Sequence, residues 1–397
     1  MTNMYHKLIF EPRDLLYFRD GRPVNSGYGA NWPMPQTAYS ALQQAFHRCW
    51  PEQQPQEPVT GRKQYRFQTL KTFGPLPCKD GELYVPTPAD LKPGAIMAPL
   101  INVPGESNLP KSVRYPVGAD IQASKETCNP WISLSELNRY LNGEHRLTTL
   151  RNSELYEIEE RPGIEIDQET HSAVDQKFFL ASYLRLHEDV NICLFAECMS
   201  DGTDLIEAFY SSGEKQLVFG GQRGVVHSRA EKFDPQHLLL PMQCGIPVKS
   251  KLIKWVLLSP AAYSRGWLPH FLDENGNVML NVPAGTPPER KQYSTREAYR
   301  EALSKSSRRL NARLVAASIP KHSSYSGWNQ EKGQPERTLN LVPPGSVFYF
   351  EAENENEGML LANLLTHGRN SEFFGNQGFG MGVCTSFNYL DFNTLIK

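Results

Sequence analysis

Prolines are concentrated in one stretch of this chain and constrain its fold more than any other feature. Thirteen of the 30 prolines lie between Pro51 and Pro130. Each proline fixes φ and removes a backbone donor, so long central strands are disfavoured in this stretch. The pattern predicts an irregular insertion over about residues 51–175, with short hairpins and one helix from Ser133 to Asn142 that opens on a capping box.

Six predicted elements flank this insertion in the order strand, helix, strand, strand, helix, strand. They are a strand at 7–10, a helix at 38–49, a hairpin of strands at 178–187 and 190–198, a short helix capped by Thr203-Asp204, and a strand at 216–219. This βαββαβ order is that of a ferredoxin-like unit.

The same order is predicted again after residue 241. Strands are expected at 252–258, 313–319, 347–352 and 383–389, with helices at 357–367 and after the capping box Ser294-x-x-Glu297. The predicted fold class is therefore α+β, with two tandem ferredoxin-like (RRM-like) domains at 1–240 and 241–397. Sheets of this kind often hold single-stranded RNA, although a fold alone does not give a function.

Composition and charge narrow the class of protein. Hydrophobic residues make up 40% and charged residues 21%, which excludes a disordered or collagen-like chain. The sequence has no apolar run near the roughly 18 residues of a membrane helix, no visible signal peptide, and seven cysteines without a Cys-x-x-Cys pair. We therefore expect no membrane partner and a cytoplasmic location.

The net charge of −2 bears on nucleic-acid binding. A protein that coats nucleic acid without specificity is normally basic. This chain would therefore bind RNA through a local patch or as part of an assembly.

The sequence gives little support for catalysis. It contains no His-Glu-x-x-His motif, zinc-ribbon spacing, Gly-x-Ser-x-Gly elbow or P-loop. We predict no metal site, no cofactor and no catalytic residue.

The segment Gly375–Gly382 is the most distinctive local feature, with four glycines in eight residues between a helix and the last strand. Glycines permit positive φ and close backbone approach, so peptide N–H groups could form a concavity for phosphates. A plain flexible connection is the alternative. The predicted RNA contacts in and before this loop are Arg369, Gly378, Phe379, Gly380 and Gly382.

Two further segments carry candidate RNA contacts. Gly220, Gly221, Gln222 and Arg223 form a predicted glycine turn, followed on the next strand by Arg229, and such cations suit an RNA backbone. A solvated hairpin turn fits this segment equally well.

The other segment holds Arg19 and Arg22 beside Tyr17 and Phe18. Its aromatic rings could stack on bases while the arginines contact phosphates. A core-facing aromatic pair and an Arg–Asp turn are the alternative.

An ordered set of motifs resembles one known family. The set spans nearly the whole chain, and each member is weak alone. Its members are Glu11-Pro12-Arg13-Asp14-Leu15-Leu16-Tyr17-Phe18-Arg19-Asp20-Gly21-Arg22-Pro23, Tyr84–Leu91, Arg161–Asp167, Leu257–Ala261, Gly266–Pro269, Ser326–Trp328, Pro343–Phe350 and the glycine-rich loop. The sequence is thus similar to the third-subunit RAMP proteins of the Cmr complex, a type III-B CRISPR effector.

The resemblance implies a two-domain protein without nuclease activity of its own. Such proteins hold the repeat-derived 5′ tag of the CRISPR RNA and dock on the large polymerase-like subunit and on the adjacent backbone RAMP subunit. By position, Arg19, Arg22, the 220–224 turn and the 378–382 loop become the candidates for tag contact.

Two other functions stay open. One is a metal-independent endoribonuclease that processes CRISPR repeat RNA, with His227 as general acid or base because it follows the 220–224 turn. The other is a structural connector that does not contact RNA.

Overall fold

The chain folds into a mixed α+β structure with many strands and few helices. The computed structural model describes residues 5–18, 31–51, 67, 69–105, 107–120, 126–166, 173–200, 202–222, 224–231, 248–285, 288–326, 328–329, 334–335 and 338–395. The principal helices are α1 (Pro35–Cys49), α2 (Leu134–Leu141), α3 (Leu205–Tyr210), α4 (Arg296–Lys305) and α5 (Glu355–His367). The principal strands are β1 (His6–Pro12), β2 (Lys71–Lys79), β3 (Glu82–Pro86), β4 (Trp131–Ser133), β5 (Thr149–Leu150), β6 (Tyr156–Ile166), β7 (Ala173–Leu186), β8 (Val190–Glu197), β9 (Lys215–Val218), β10 (Val225–Glu231), β11 (Leu252–Leu257), β12 (Ala312–Ser318), β13 (Ser323–Tyr325), β14 (Leu339–Val342), β15 (Val347–Ala352) and β16 (Gly382–Ser386). No helix in these ranges is both long enough and apolar enough to span a membrane.

Two antiparallel sheets organise the chain. The N-terminal sheet has the order β9-β10-β1-β8-β2-β3-β4-β5, and the C-terminal sheet has the order β12-β15-β11-β16. Four strands of the first sheet, β10-β1-β8-β2, and all four of the second follow the same connection pattern. In each set the first and third strands along the chain lie in the middle, and the fourth and second lie outside.

The alternation of side chains along β1 shows how the layers stack. Leu8 and Phe10 point into a core shared with α1 and α3, whereas Ile9 points into a second core. That second core also contains Val256 and Tyr349 of the C-terminal sheet. The two sheets therefore pack face to face, with both faces of β1 buried, and α5 covers the far side of the C-terminal sheet.

Strand β2 corrects the prediction that no long central strand forms within residues 51–175. It lies between β8 and β3. Its register with β8 is irregular where Cys193 pairs with Leu76 and Phe195 with Phe73, opposite Gly74-Pro75. The other edge of β2 pairs with β3 only through Cys78 and Lys79. The part of this edge that contains Pro75 and Pro77 is therefore not paired with β3. The prolines therefore sit where the sheet does not need their missing donors.

The predicted hairpin of strands 178–187 and 190–198 is wrong. Strand β7 pairs with β6 in a two-stranded ribbon, and β8 pairs with β1 and β2 instead. In addition to its pairing in the ribbon, Leu184 exchanges two backbone hydrogen bonds with Leu16, of 2.8 and 2.9 Å. The pairings of β8 with β1 and β2, and that of Leu16 with Leu184, join residues more than 100 positions apart, so they have no local signature. The predicted domain boundary at 240 lies outside the described residues.

The helix starts follow from their capping side chains. Ser133 accepts a hydrogen bond from the Glu136 N–H at 3.2 Å, and Asp204 accepts from Ile206 at 2.9 Å, so both predicted capping residues cap their helices. The second half of the predicted capping box does not form, because the Glu136 carboxylate accepts from the Thr148 N–H and from Arg139 instead. Helix α4 begins one residue later than predicted, because Thr295, not Ser294, accepts from the Ala298 N–H at 3.1 Å.

A buried carboxylate in the first turn of α5 makes stability depend on pH. Glu357 is 5% exposed, is bonded by the Arg308 guanidinium, and accepts from the Asn311 N–H at 2.8 Å. The bond from Arg308 is the main cause that lowers the pKa of Glu357. Glu357→Gln should lower the free energy of unfolding by about 1–3 kcal/mol near pH 7.

The pH dependence of this effect has a definite sign. Because the folded pKa is depressed, the stabilisation is present above the unfolded value of about 4.3 and is lost as pH falls through the folded value. Urea unfolding at pH 7 and pH 3 should show the difference from wild type shrinking at the lower pH. The exposed Glu355 of the same turn is the matched control, and Glu355→Gln should change little at either pH. A difference of equal size at both pH values would contradict the prediction.

Candidate nucleic-acid interface

A cleft of about 690 Å³ lies where the N-terminal half of α1 faces β13 and the residues around it. The glycine turn at 220–221 and the end of the segment after β1 complete its walls. The described lining consists of Tyr17, Phe18, Asn31, Trp32, Met34, Gln36, Thr37, Ser40, Ala41, Gln44, Val218, Gly220, Gly221, Lys321, His322, Ser323, Ser324, Tyr325 and Ser326. Residues from both halves of the sequence therefore form one surface.

The described lining of the cleft mixes polar and apolar side chains and contains no acidic one. This is notable because the chain as a whole has 43 acidic and 41 basic residues. Lys321 supplies a positive charge at the rim, and amides and hydroxyls supply neutral donors and acceptors. Such a surface can bond the sugars, base edges and phosphates of a nucleotide chain without repelling its charge.

Aromatic side chains in the cleft are held by defined contacts. The Trp32 indole N–H donates to the Pro75 carbonyl at 2.8 Å, and the Tyr17 ring lies 5.4 Å from that of Tyr183. The Tyr325 ring lies 6.1 Å from the ring of Phe379. Rings fixed in this way can serve as stacking platforms for bases.

The glycine turn packs against the chain segment that precedes the cleft. The Gly221 N–H donates to the Tyr17 carbonyl at 2.8 Å. A Cβ on Gly220, where φ is +83°, would lie 2.7 Å from the same carbonyl oxygen. Gly220 and Gly221 thus belong to the cleft wall, as their prediction as RNA contacts requires, whereas Gln222 is exposed outside the lining.

The glycine-rich loop is largely internal. Gly378, Phe379, Gly380 and Gly382 are buried, and Phe379 is 0% exposed. An added Cβ on Gly382 would lie 2.4 Å from the Trp255 indole nitrogen. Direct base stacking by Phe379 would therefore require the loop to move. In the structure Phe379 supports Tyr325 from behind the cleft.

Arg369 holds this loop in place. One of its nitrogens donates to the carbonyls of Thr72 and Gly375, both at 2.8 Å, and the other donates to the Tyr5 hydroxyl at 3.1 Å. The exposed side of the loop lines a second cleft of about 690 Å³, formed with Tyr39 and Gln43 of α1. That side is where this loop could meet RNA.

Arg229 lies on β10 away from the cleft. Its guanidinium bonds Glu11 and lies 3.3 Å from Glu231. The bond from Glu11 is the main cause that raises the pKa of Arg229. Its charge is thus largely matched within the chain. The predicted contacts Arg19, Arg22 and Arg223 lie outside the described residues.

Sequence reasoning missed two parts of the cleft. One is the uncharged polar stripe of α1, Gln36, Ser40 and Gln44, which recurs every four residues. The other is the run Lys321–Ser326, rich in serine. The helical period was visible in the sequence, but the meeting of the two segments depends on tertiary pairing.

Groups suited to chemistry are sparse in the described part of the chain. No cluster of three or more His, Cys, Asp or Glu residues there is placed to hold a metal ion. His227 lies on β10 opposite Glu11 and Gln216 and is not part of the cleft lining. The histidine that does line the cleft is His322, which is exposed.

Several solved structures are similar to this chain. A chain of the type III-B Cmr-beta complex bound to cognate target RNA and AMPPnP has 12% identity, 86% coverage of both chains and a TM-score of 0.46. A chain of the Csm3–Csm4 subcomplex of the type III-A CRISPR-Cas interference complex has 8% identity, with 87% of this chain and 94% of that chain covered and a TM-score of 0.40. A chain of a Csm1–Csm4 cassette in complex with AMPPNP has 11% identity, 87% coverage of both chains and a TM-score of 0.32.

The family comparison is more specific than these similarities. No curated protein matches the chain. The sequence does match the model of the CRISPR-associated protein family Cas_Cmr3 over residues 8–385, nearly its whole length. The chain therefore belongs to the CRISPR-associated Cmr3 family, which supplies subunits of type III CRISPR effector complexes.

Proposed function

We propose that this protein is a non-catalytic subunit of a type III-B effector that holds the 5′ tag of the CRISPR RNA in the cleft between α1 and β13. The observation that carries the proposal is a cleft of mixed polar and aromatic side chains whose described lining contains no carboxylate, in a chain of net charge −2. Membership of the family supports the large polymerase-like subunit and the adjacent backbone RAMP subunit as protein partners.

The topology supports a finer assignment of the fold. In both halves, the strands of the sheet orders β10-β1-β8-β2 and β12-β15-β11-β16 share one connection pattern. With their two helices they occur in the order strand, helix, strand, strand, helix, strand once the other elements between them are set aside. This is the arrangement expected of two ferredoxin-like units. The cleft then lies beside the first helix of the first unit, where residues of the second unit reach it.

The near-neutral charge fits a shared RNA site. Affinity for nucleic acid without specificity rises with the number of phosphates that cations neutralise. With one lysine and many neutral donors among the described lining residues, the cleft gains affinity by matching the shape and bases of a short strand. The tag would therefore be bound by contacts to its nucleotides more than by bulk charge.

The test is RNA binding by the full chain with acidic substitutions in the cleft. Lys321→Glu with Ser40→Glu places two carboxylates on facing walls, and we expect about tenfold or more weaker binding of RNA that carries the repeat-derived tag. The control variant, His145→Glu with Arg146→Glu, makes the same charge change on exposed residues outside the cleft lining. Fluorescence anisotropy gives both affinities.

Two outcomes would count against the proposal. Equal affinity of the cleft variant and its control would exclude the cleft as the RNA site. Equal affinity for tagged and scrambled RNA would exclude tag recognition. Gel analysis of the RNA after incubation in chelator also tests the nuclease alternative, because site-specific cuts that His227→Ala abolishes would favour an enzyme.

A further inference from the structure

Helix α4 and the turn before it carry a local excess of positive charge. Residues 288–309 contain seven lysines and arginines and three glutamates, whereas the chain as a whole has a net charge of −2. The segment lies in the C-terminal half and contributes no residue to the cleft described above.

Four of these cations have no carboxylate within 4.0 Å in the described structure. They are Arg290, Lys291, Arg296 and Arg300, and all four are exposed. The other cations of the segment behave differently. Arg308 pairs with Glu357, and Lys305 lies 2.8 Å from Glu301. Arg296 and Arg300 are one helical turn apart and so lie on the same face of α4.

Two tyrosines lie among these cations. The rings of Tyr293 and Tyr299 are 5.8 Å apart, and the Arg290 guanidinium lies 5.8 Å from the centre of the Tyr299 ring. Both tyrosines are half-buried, so one part of each ring reaches the surface. Cations beside partly exposed rings are the usual composition of a surface that binds single strands, because phosphates meet the charge and bases stack on the rings.

Burial of apolar side chains in the hydrophobic core does not explain the position of helix α4. Helix α5 buries Leu361 and Leu365 against the C-terminal sheet, whereas α4 has no buried residue. Its Ala298 and Ala302 are only half-buried. The charged face of α4 is therefore not simply the solvent-facing side of a tightly packed amphipathic helix, and it remains available to a partner.

We propose that the α4 patch, defined as Arg290, Lys291, Tyr293, Arg296, Tyr299 and Arg300, is a second surface for single-stranded nucleic acid, separate from the tag cleft. Its contacts are to phosphates and ring faces, so binding is independent of base sequence. An acidic protein surface could also meet this charge, but the two neighbouring tyrosine rings, tilted by 51° to each other, favour an RNA strand whose bases can stack on them.

The test is binding of a labelled, unstructured oligouridylate of about 20 nucleotides to the full chain over a range of salt concentrations. Arg296→Gln with Arg300→Gln should weaken binding about tenfold at low salt. If each arginine neutralises one phosphate, the slope of log K against log salt should become shallower by about 1.4. Crosslinking should join the RNA to a peptide that contains Tyr293 or Tyr299.

The matched control uses the same helix. Glu297→Gln with Glu301→Gln makes the same number of changes with the opposite effect on charge, so it should leave binding unchanged or tighten it. Equal losses in both variants would show damage to the helix, and no loss in the arginine variant would show that this surface does not bind RNA. Either result would overturn the proposal.

The failure of this proposal can be told apart from failure of the tag cleft. The cleft variant, Lys321→Glu with Ser40→Glu, should lose tag-dependent binding and keep the salt-sensitive binding of oligouridylate. The arginine variant should keep tag-dependent binding and lose the salt-sensitive binding of oligouridylate. An arginine variant that binds oligouridylate normally but no longer assembles with an acidic protein subunit would assign the patch to that subunit and refute the RNA surface.

Discussion

Replacing Asp90 by alanine should lower the free energy of unfolding by about 3–5 kcal/mol. Asp90 is 0% exposed and accepts hydrogen bonds from the hydroxyls of Tyr140 at 2.5 Å and Tyr349 at 2.8 Å. The Lys254 ammonium lies 3.2 Å from the same carboxylate and is itself 4% exposed. Alanine would leave that ammonium buried without a counter-charge and two tyrosine hydroxyls without an acceptor.

The network matters because it joins parts of the chain that are distant in sequence. Asp90 and Tyr140 come from the segment that follows α1, whereas Lys254 lies on β11 and Tyr349 on β15. Burial is the main cause that raises the pKa values of Tyr140 and Tyr349 well above the usual tyrosine value. Both tyrosines therefore remain protonated donors, and the network should tolerate moderately alkaline solution.

A double-mutant cycle tests the coupling. Asp90→Asn with Lys254→Met removes both charges, and we expect this pair to cost clearly less than the sum of the two single changes. Urea unfolding followed by fluorescence and by circular dichroism measures each variant and checks that one transition is observed. Strictly additive effects would mean that the interaction between Asp90 and Lys254 does not stabilise the packing between these parts of the chain.

The sequence could predict elements whose signals are local. Val347–Ala352 is an apolar run between turns, and the structure gives a strand with the same bounds. Ser133 and Asp204 cap the helices that follow them, since a capping side chain acts on the next three residues. The pairing of β2 with β8 could not be predicted, because it depends on an irregular register opposite Gly74-Pro75.

The glycine segments show why the site was harder to predict than the fold. A glycine that allows another backbone to approach closely has the same sequence signature whether that backbone is protein or RNA. Gly220 meets the Tyr17 carbonyl and Gly380 meets the backbone of residues 370 and 371, so both are needed within the chain itself. The cleft these contacts help to build lies beside them and also uses Lys321–Ser326.

Gly380→Ala should be among the most disruptive substitutions in the glycine-rich loop. Its φ is +71°, and an added Cβ would lie 2.3 Å from the Ser371 nitrogen and 2.5 Å from the Asn370 carbonyl carbon. The loop cannot shift easily, because the Gly380 N–H donates to the Pro260 carbonyl at 2.8 Å and its own carbonyl accepts from Asn370 at 2.9 Å. Strain and overlap together should cost about 3 kcal/mol or more.

Gly375→Ala is the matched control in the same loop. Gly375 is outside the positive-φ region, and its nearest contact for an added Cβ is the Cβ of Arg369 at 3.4 Å, so we expect a change below about 1 kcal/mol. Thermal unfolding and RNA affinity should be measured on both variants. If Gly380→Ala kept wild-type stability and lost RNA binding, we would infer that the backbone at Gly380 contacts the nucleic acid directly. A loss of stability that Gly375→Ala does not share would instead show that Gly380 acts by packing the loop behind the cleft.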